Sequence, residues 1–147
     1  MEKKHKLLVY IFLFWKREKV NHNVLLTKLS YYGFHEDDTE WFNSYLSNRK
    51  QVVSCHKQLS DMKGIDIGIP QGSVLGPLLF IIYVNDISQF VNIGTANLYA
   101  DDTLIYCTGR NVDEVSRVLQ QCINDVGDWY LGNKLIVNAK KSCVTIA

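Results

Sequence analysis

The sequence lacks the features that mark several classes of protein. Its 147 residues include two prolines, and no repeat, low-complexity stretch or Pro/Gly-rich linker interrupts them, so one continuous domain is predicted. No histidine stands at metal-ligand spacing, and the cysteines form no C-x-x-C pair. This pattern excludes a disulfide framework and a structural zinc site. The cysteines are widely scattered, at Cys55, Cys107, Cys122 and Cys143.

An excess of charge of one sign is also absent. The chain has 16 Lys and Arg residues against 15 Asp and Glu, for a formal net charge of +1, whereas a free-standing nucleic-acid binder usually carries a basic excess. The balance is uneven, because residues 1–20 contain six basic and two acidic residues. We therefore expect residues 1–19 to form a separate basic and apolar leader, and residues 20–147 to form the main domain.

A long hydrophobic run is missing as well. The apolar run from Leu7 to Trp15 has nine residues, fewer than the roughly 17–25 that cross a membrane. No small-residue cleavage site follows Trp15, as a signal peptide would require. Its β-branched and aromatic residues favour a buried β-strand. The sequence thus predicts an intracellular protein, in the nucleus or cytoplasm, that is neither secreted nor bound to a membrane.

Hydrophobic spacing predicts two helices early in the chain. Asn21 or Asn23 can cap a first helix that ends near Gly33. A second helix begins at the acidic residues 36–38, and its spacing favours core packing over a platform for stacking bases. The residues that this helix is expected to bury are Trp41, Phe42, Tyr45 and Leu46.

The rest of the chain mixes strands and helices without strict alternation. Extended segments at 49–55 and 62–69 indicate a hairpin, and Pro77 opens a helix that is apolar on most sides and so mostly buried. Two short strands, 95–99 and 103–107, precede a long amphipathic helix over 112–130. Residues 135–137 and 143–146 are expected to pair as final strands. The predicted class is α+β, with a largely antiparallel sheet packed against helices.

Two adjacent carboxylates, Asp101 and Asp102, lie between two apolar strands. Like charges so close together are costly unless a cation is shared between them, and Mg²⁺ suits such hard oxygen ligands. Asp-Asp pairs are also common turn formers, so the residues alone leave both a metal site and a simple turn open.

A second candidate site is the loop from Gly68 to Pro77. Its glycines let the backbone come close to a ligand, and it leads directly into a predicted helix. It is not a phosphate-binding P-loop, because no Gly-Lys-Ser/Thr follows, and Ser73 lacks the G-x-S-x-G frame of a hydrolase nucleophile. A loop that only ends a strand and starts a helix would need the same residues.

Taken together, these motifs resemble a known family. The order GIPQGSVLGPLLFIIYVNDI, then LYADDTLIY, a long helix and NKLIVNAKKS is similar to the palm of a reverse transcriptase of non-LTR retrotransposons of the LINE or Jockey type. The similarity runs from Val20 to Ala147. The resemblance implies a reverse-transcriptase-like palm with incomplete fingers and no thumb.

The resemblance also implies roles for individual residues. Tyr99 and Ala100 with Asp101 and Asp102 match the family's Y-x-D-D box, whose aspartates are catalytic and hold Mg²⁺. The nucleotide- and template-binding positions implied by the match are Pro70, Gln71, Gly72, Tyr99, Ala100 and Lys141. Lys141 falls on a lysine associated with the nucleotide's phosphates, although Lys140 beside it and a plain surface role remain open.

The segment before Val20 departs from the family. Counting back places Phe12 at the family's first catalytic Asp and Glu18 at its second, with Arg17 at the aromatic residue that screens the sugar. Without that first carboxylate we expect an enzyme that is catalytically incomplete. RNA template, DNA primer and deoxynucleotide are the partners of complete relatives, and the chain alone is expected to bind nucleic acid weakly. The alternative is a non-catalytic module that binds nucleic acid or protein.

Overall fold

The structure is a computed structural model, and it describes residues 7–14, 20–70, 72–99, 102–138, 140 and 142–146. The chain divides into two compact units. The sheet unit comprises Met1–Lys16 and Val84–Ala147, and the helical unit comprises Arg17–Tyr83.

The sheet unit is built on four antiparallel strands. These are β1 (Leu7–Phe14), β6 (Thr95–Tyr99), β7 (Asp102–Gly109) and β8 (Cys143–Ile146), in the order β6-β7-β1-β8. The strand predicted for the apolar run is therefore confirmed, and it lies between β7 and β8 rather than at an edge. The leader supplies an internal strand of the sheet.

Two helices complete this unit, α4 (Ile87–Phe90) and α5 (Val112–Gly132). Asn111 caps α5 by accepting a hydrogen bond from the Glu114 amide at 2.8 Å. α5 packs on β7, and the Trp129 indole nitrogen donates to a carboxylate oxygen of Asp86 at 3.1 Å. The long amphipathic helix is thus confirmed; its buried residues are Val115, Leu119, Cys122, Val126, Trp129 and Tyr130.

The helical unit contains α1 (His22–Tyr31), α2 (Glu36–Leu46) and all but the last residue of α3 (Leu75–Val84). Asn21 caps α1 as predicted, accepting from the Val24 amide at 3.2 Å, and Gly33 takes a φ of +91° just beyond the helix. The predicted hairpin is also present. β2 (Arg49–Gln51) pairs with β5 (Lys63–Ile65), and between them β3 (Ser54–Cys55) pairs with β4 (Gln58–Leu59).

Three sequence predictions differ from the structure. β8 pairs with β1 rather than with residues 135–137, because the internal strand offers it a longer partner. On α2 only Leu46 is buried, and Trp41 is 54% exposed. On α3 the side chains of Leu78 and Ile81 are about half exposed, although Leu79 and Tyr83 are fully buried. Apolar composition predicted these helices, but it did not predict which of their side chains are buried. Among the described residues, no helix is both long and apolar enough to cross a membrane.

Candidate functional site

The β6–β7 hairpin carries the predicted acidic pair. Tyr99 and Asp102 are directly paired at its closed end. Tyr99 is 83% exposed, while Asp102 is half-buried. Ala100 and Asp101, at the tip between them, lie outside the described residues. The structure therefore brings one predicted metal ligand and one predicted nucleotide-contacting residue side by side.

The strand that carries Asp102 is fixed to α5. Side chains alternate along β7, so that Thr103, Ile105 and Cys107 are buried. The Tyr130 hydroxyl donates to the hydroxyl oxygen of Thr103 across 3.4 Å. Burial raises the pKa of the Tyr130 phenol, and the hydrogen bond with Thr103 partly opposes this. The residue next to Asp102 is thus held in the core, while Asp102 lies on the more open face.

The neighbouring strand supplies no acidic group. Phe14 of β1 is the Cα partner of Asp102, and Phe12 is the partner of Leu104. Residues 7–14 read LLVYIFLF and contain no carboxylate. Within the part of the chain that is described, no cluster of three or more His, Cys, Asp or Glu side chains could hold a metal ion. Glu18 and Arg17 lie outside that part.

The loop predicted to face template and nucleotide lies in the helical unit. Ser73 organises it, because its hydroxyl donates to the Pro70 carbonyl at 2.8 Å and accepts from the Gly76 amide at 3.0 Å. Gly72 has a φ of +78°, which favours glycine. A Cβ at Gly76 would lie 2.9 Å from the Pro70 carbonyl oxygen. The loop therefore turns tightly onto the start of α3; Gln71 lies outside the described residues.

A histidine without metal-ligand spacing in the sequence supports this loop. His22 is buried, and its Nε2 lies 2.8 Å from the Gly68 carbonyl oxygen, to which it donates. The Gly68 amide in turn donates to the Val20 carbonyl at 2.7 Å. The segment before α1 thus holds the chain just before Pro70. The sequence around a single histidine does not indicate that its side chain will hydrogen-bond to a distant loop.

The remaining predicted residue, Lys141, lies outside the described residues, whereas Lys140 is exposed. Of the predicted site, the structure brings Tyr99 and Asp102 together in the sheet unit. Pro70 and Gly72 lie together in the helical unit. The assignment of all these residues to catalysis, metal or nucleotide binding stays a prediction.

The fold by itself indicates a class of protein. The chain is similar to a solved structure of telomerase from Candida tropicalis in complex with a fragment of telomeric RNA, with a TM-score of 0.64. The match covers 96% of this chain and 26% of that one, at 13% identity. The mixed helices and antiparallel sheet are therefore a reverse-transcriptase-like fold, as predicted.

The chain belongs to the reverse transcriptase (RNA-dependent DNA polymerase) family, whose model matches residues 17–146. It is 29% identical over 145 residues to the probable RNA-directed DNA polymerase from transposon BS of Drosophila melanogaster, covering 88% of this chain and 15% of that protein. It is 31% identical over 105 residues to the RNA-directed DNA polymerase from mobile element jockey of Drosophila funebris, covering 67% of this chain and 12% of that protein. The predicted kinship with polymerases of non-LTR retrotransposons is confirmed, and the chain spans less than a sixth of these relatives.

Proposed function

We propose that the chain is the palm part of a retrotransposon reverse transcriptase that keeps the Y-x-D-D hairpin but is catalytically incomplete on its own. In complete relatives the partners would be an RNA template, a DNA primer and a deoxynucleoside triphosphate inside the cell. This chain by itself would bind nucleic acid weakly, since phosphate contacts supply much of such affinity and its net charge is only +1.

The register between β1 and β7 carries this proposal. Directly paired residues of antiparallel strands have Cβ atoms about 4.5–5.5 Å apart, so position 14 is the nearest place on β1 for a carboxylate to join Asp102. That position holds phenylalanine, as does position 12, where counting from the family pattern puts the first catalytic Asp. Phosphoryl transfer depends almost entirely on positioning and electrostatic stabilisation, so a missing carboxylate removes an essential part.

The acidic pair fits a single Mg²⁺ ion better than a pair of ions. Mg²⁺ usually keeps several waters and needs one or two protein carboxylates, which Asp101 and Asp102 would provide. When bound, it supplies positive charge against the oxygens of the nucleotide's phosphates. We assign Asp101 and Asp102 the role of metal ligands; among the described residues there is no cluster of three or more His, Cys, Asp or Glu side chains that could hold a metal ion.

The other assigned residues would position substrate. Pro70 and Gly72 lie in a loop that Ser73 holds in shape, and we assign template and nucleotide binding to them and to Gln71. Tyr99 offers an exposed ring beside Asp102, and we assign nucleotide binding to it and to Ala100, the next residue of the Y-x-D-D box. Lys141 would meet the phosphates as a point charge.

Metal titration tests the acidic pair directly. We expect the wild-type chain to bind Mg²⁺ weakly, and Asp101→Asn and Asp102→Asn each to weaken that binding by about tenfold or more, since affinity depends on ligand charge. Asp113→Asn, an exposed carboxylate in the first turn of α5, is the matched control. Equal Mg²⁺ binding by all four proteins would contradict the assignment.

The absence of a carboxylate from an internal strand also favours a second function. A sheet whose internal strand β1 carries no carboxylate suits a non-catalytic module that binds nucleic acid or protein. Such a module would bind its partner equally well with Mg²⁺ and with EDTA, and Asp102→Asn would leave that binding unchanged. A loss of partner binding in EDTA would rule the module out.

A further inference from the structure

The α2 helix carries an aromatic cluster that the polymerase assignment does not use. The rings of Trp41 and Tyr45 are stacked, with centroids 5.7 Å apart and planes within 5° of parallel. Phe42 meets the Trp41 ring nearly at a right angle across 5.1 Å, and Phe34 meets Phe42 in the same way across 5.8 Å. Aromatic pairs at these distances attract one another, so the cluster holds Trp41 in place although this residue is 54% exposed.

The charges around this cluster all have one sign. Residues 29–48 contain four acidic residues and no Lys or Arg. All four are exposed: Glu36, Asp37, Asp38 and Glu40. The positive end of α2 accounts for the three in its first turn. Glu40 lies beyond that turn and four residues from Glu36, where like charges destabilise a helix. The surface therefore carries more negative charge than the start of a helix requires.

A carboxylate and the stacked rings form one row along the helix. Asp37, Trp41 and Tyr45 are spaced by four residues, and residues at this spacing are neighbours on a helix surface. Helix side chains lean toward the N-terminus. Tyr45 therefore stacks on Trp41 from the C-terminal side, and the opposite side of the Trp41 ring faces the turn that carries Asp37. A planar cation on that side would meet an aromatic face and a carboxylate together.

The chemistry of this row favours an arginine side chain as its ligand. A guanidinium is planar, stacks on aromatic faces and pairs with carboxylates, and tryptophan is the ring that attracts a cation most strongly. A lysine ammonium has the same charge without the plane. A nucleobase can also stack on an exposed ring, but its phosphates would be repelled by the four carboxylates. Charge thus separates a basic protein from a nucleic acid.

We propose that this surface of α2 is a docking site for a basic protein segment, with the guanidinium of one arginine stacked on Trp41 and paired with Asp37. Exposed apolar patches with a polar rim mark such interaction sites, and tryptophan, tyrosine and arginine are the residues that contribute most to binding at protein interfaces. The proposal does not rest on the Y-x-D-D assignment, because no metal, template or nucleotide takes part in it.

Fluorescence anisotropy of labelled probes with the full chain tests the proposal. The probes are a short peptide that alternates arginine and glycine, its counterpart with lysine in place of arginine, and an oligothymidylate. At an ionic strength of about 0.15 M, exposed charges more than roughly 8 Å apart are screened, so direct contacts dominate the affinity. We expect the arginine peptide to bind about threefold or more tightly than the lysine peptide, because only the guanidinium stacks.

Two variants and two matched controls locate the contact. Trp41→Leu should weaken binding of the arginine peptide by about threefold or more and remove its advantage over the lysine peptide. Asp37→Asn should weaken binding of both peptides by about threefold. Tyr31→Leu changes another exposed aromatic residue, and Glu40→Gln removes a charge from the groove between α1 and α2. Each control should change affinity by about 1.5-fold or less.

The opposite results would overturn the proposal. They are no binding of the arginine peptide, equal binding of the two peptides, an arginine preference that survives Trp41→Leu, or equal losses in Asp37→Asn and Glu40→Gln. Oligothymidylate binding that Trp41→Leu weakens would instead assign the ring to nucleobases. If Trp41→Leu does not fold, Trp41→Phe keeps a smaller ring and should still reduce the preference. Failure of the polymerase assignment would appear only in the Mg²⁺ titrations, because Asp102→Asn should bind the arginine peptide as the wild-type chain does.

Discussion

At the scale of single residues, burial separates the cysteines into two pairs. Cys55 and Cys143 are exposed, whereas Cys107 and Cys122 are buried. Burial raises the pKa of both buried thiols, and their mutual proximity raises that of Cys107 further. Because the thiolate is the reactive form, we predict that two thiols react rapidly with a disulfide reagent in the native chain. All four should react in urea; four rapid thiols without urea would contradict this burial.

A second prediction at this scale concerns Tyr130 and Thr103. Tyr130→Phe removes a buried hydrogen bond and should lower the free energy of unfolding by about 1 kcal/mol. Tyr99→Phe, at an exposed position, is the control and should have no effect. Urea denaturation at neutral pH measures both.

The same variant has a predictable pH dependence. Burial raises the pKa of the Tyr130 phenol above its ordinary 10.0, so the unfolded chain loses this proton before the folded chain does. The wild-type chain therefore keeps this contribution below about pH 10 and loses it as the pH rises further. The stability gap between wild type and Tyr130→Phe should narrow above pH 10. A gap that widens would show that the phenol ionises more readily in the fold.

Residues differ in how far the sequence predicts them. Asp101 and Asp102 stand out because adjacent carboxylates between apolar strands are a local pattern. His22 does not, because its contact is with Gly68, which lies 46 residues further along the chain. Long-range partners leave no trace in local spacing.

At the scale of elements, two glycines give opposite predictions. A Cβ on Gly109, at the end of β7, would lie 2.5 Å from a methyl group of Val115, so Gly109→Ala should cost about 1–3 kcal/mol of stability. Gly127, within α5, has open space around its Cα, so Gly127→Ala should add about 0.5–1 kcal/mol. Thermal unfolding of the two variants provides the comparison. Equal effects would mean that β7 and α5 do not pack as described.

The position of β1 predicts where a metal ligand can be added. Phe14→Asp places a carboxylate in direct register with Asp102, whereas Phe12→Asp places it opposite Leu104. We predict that Phe14→Asp tightens Mg²⁺ binding by about tenfold or more, and that Phe12→Asp does not. Each variant needs a check of folding by circular dichroism. Tighter binding by Phe12→Asp alone would show that the family's spacing, rather than this register, sets the site.

Elements with a strong local pattern are predicted well. α5 has both a capping residue and a long amphipathic repeat, and its predicted range agrees with the structure within a few residues. The partner of β8 could not be predicted in this way, because β1 lies more than a hundred residues away in the chain. Strand pairing depends on contacts that only the complete sheet provides.

At the scale of the whole molecule, the region that matches the family and the leader before it contribute differently to the fold. The family model matches from residue 17 onward, yet residues 7–14 supply an internal strand of the sheet. The leader thus adds a strand to the sheet, and that strand carries no carboxylate. The net charge of +1 is that of a chain which spans less than a sixth of the polymerases it is similar to.

Primer extension by the purified chain tests the incomplete catalytic site most directly. The assay uses an annealed RNA template and DNA primer with Mg²⁺ and all four deoxynucleotides, and the Asp101→Ala, Asp102→Ala double variant serves as the control. We predict that the two proteins give the same background signal, because no carboxylate on β1 completes the metal site. Steady extension by the wild-type chain that the double variant abolishes would contradict the proposal.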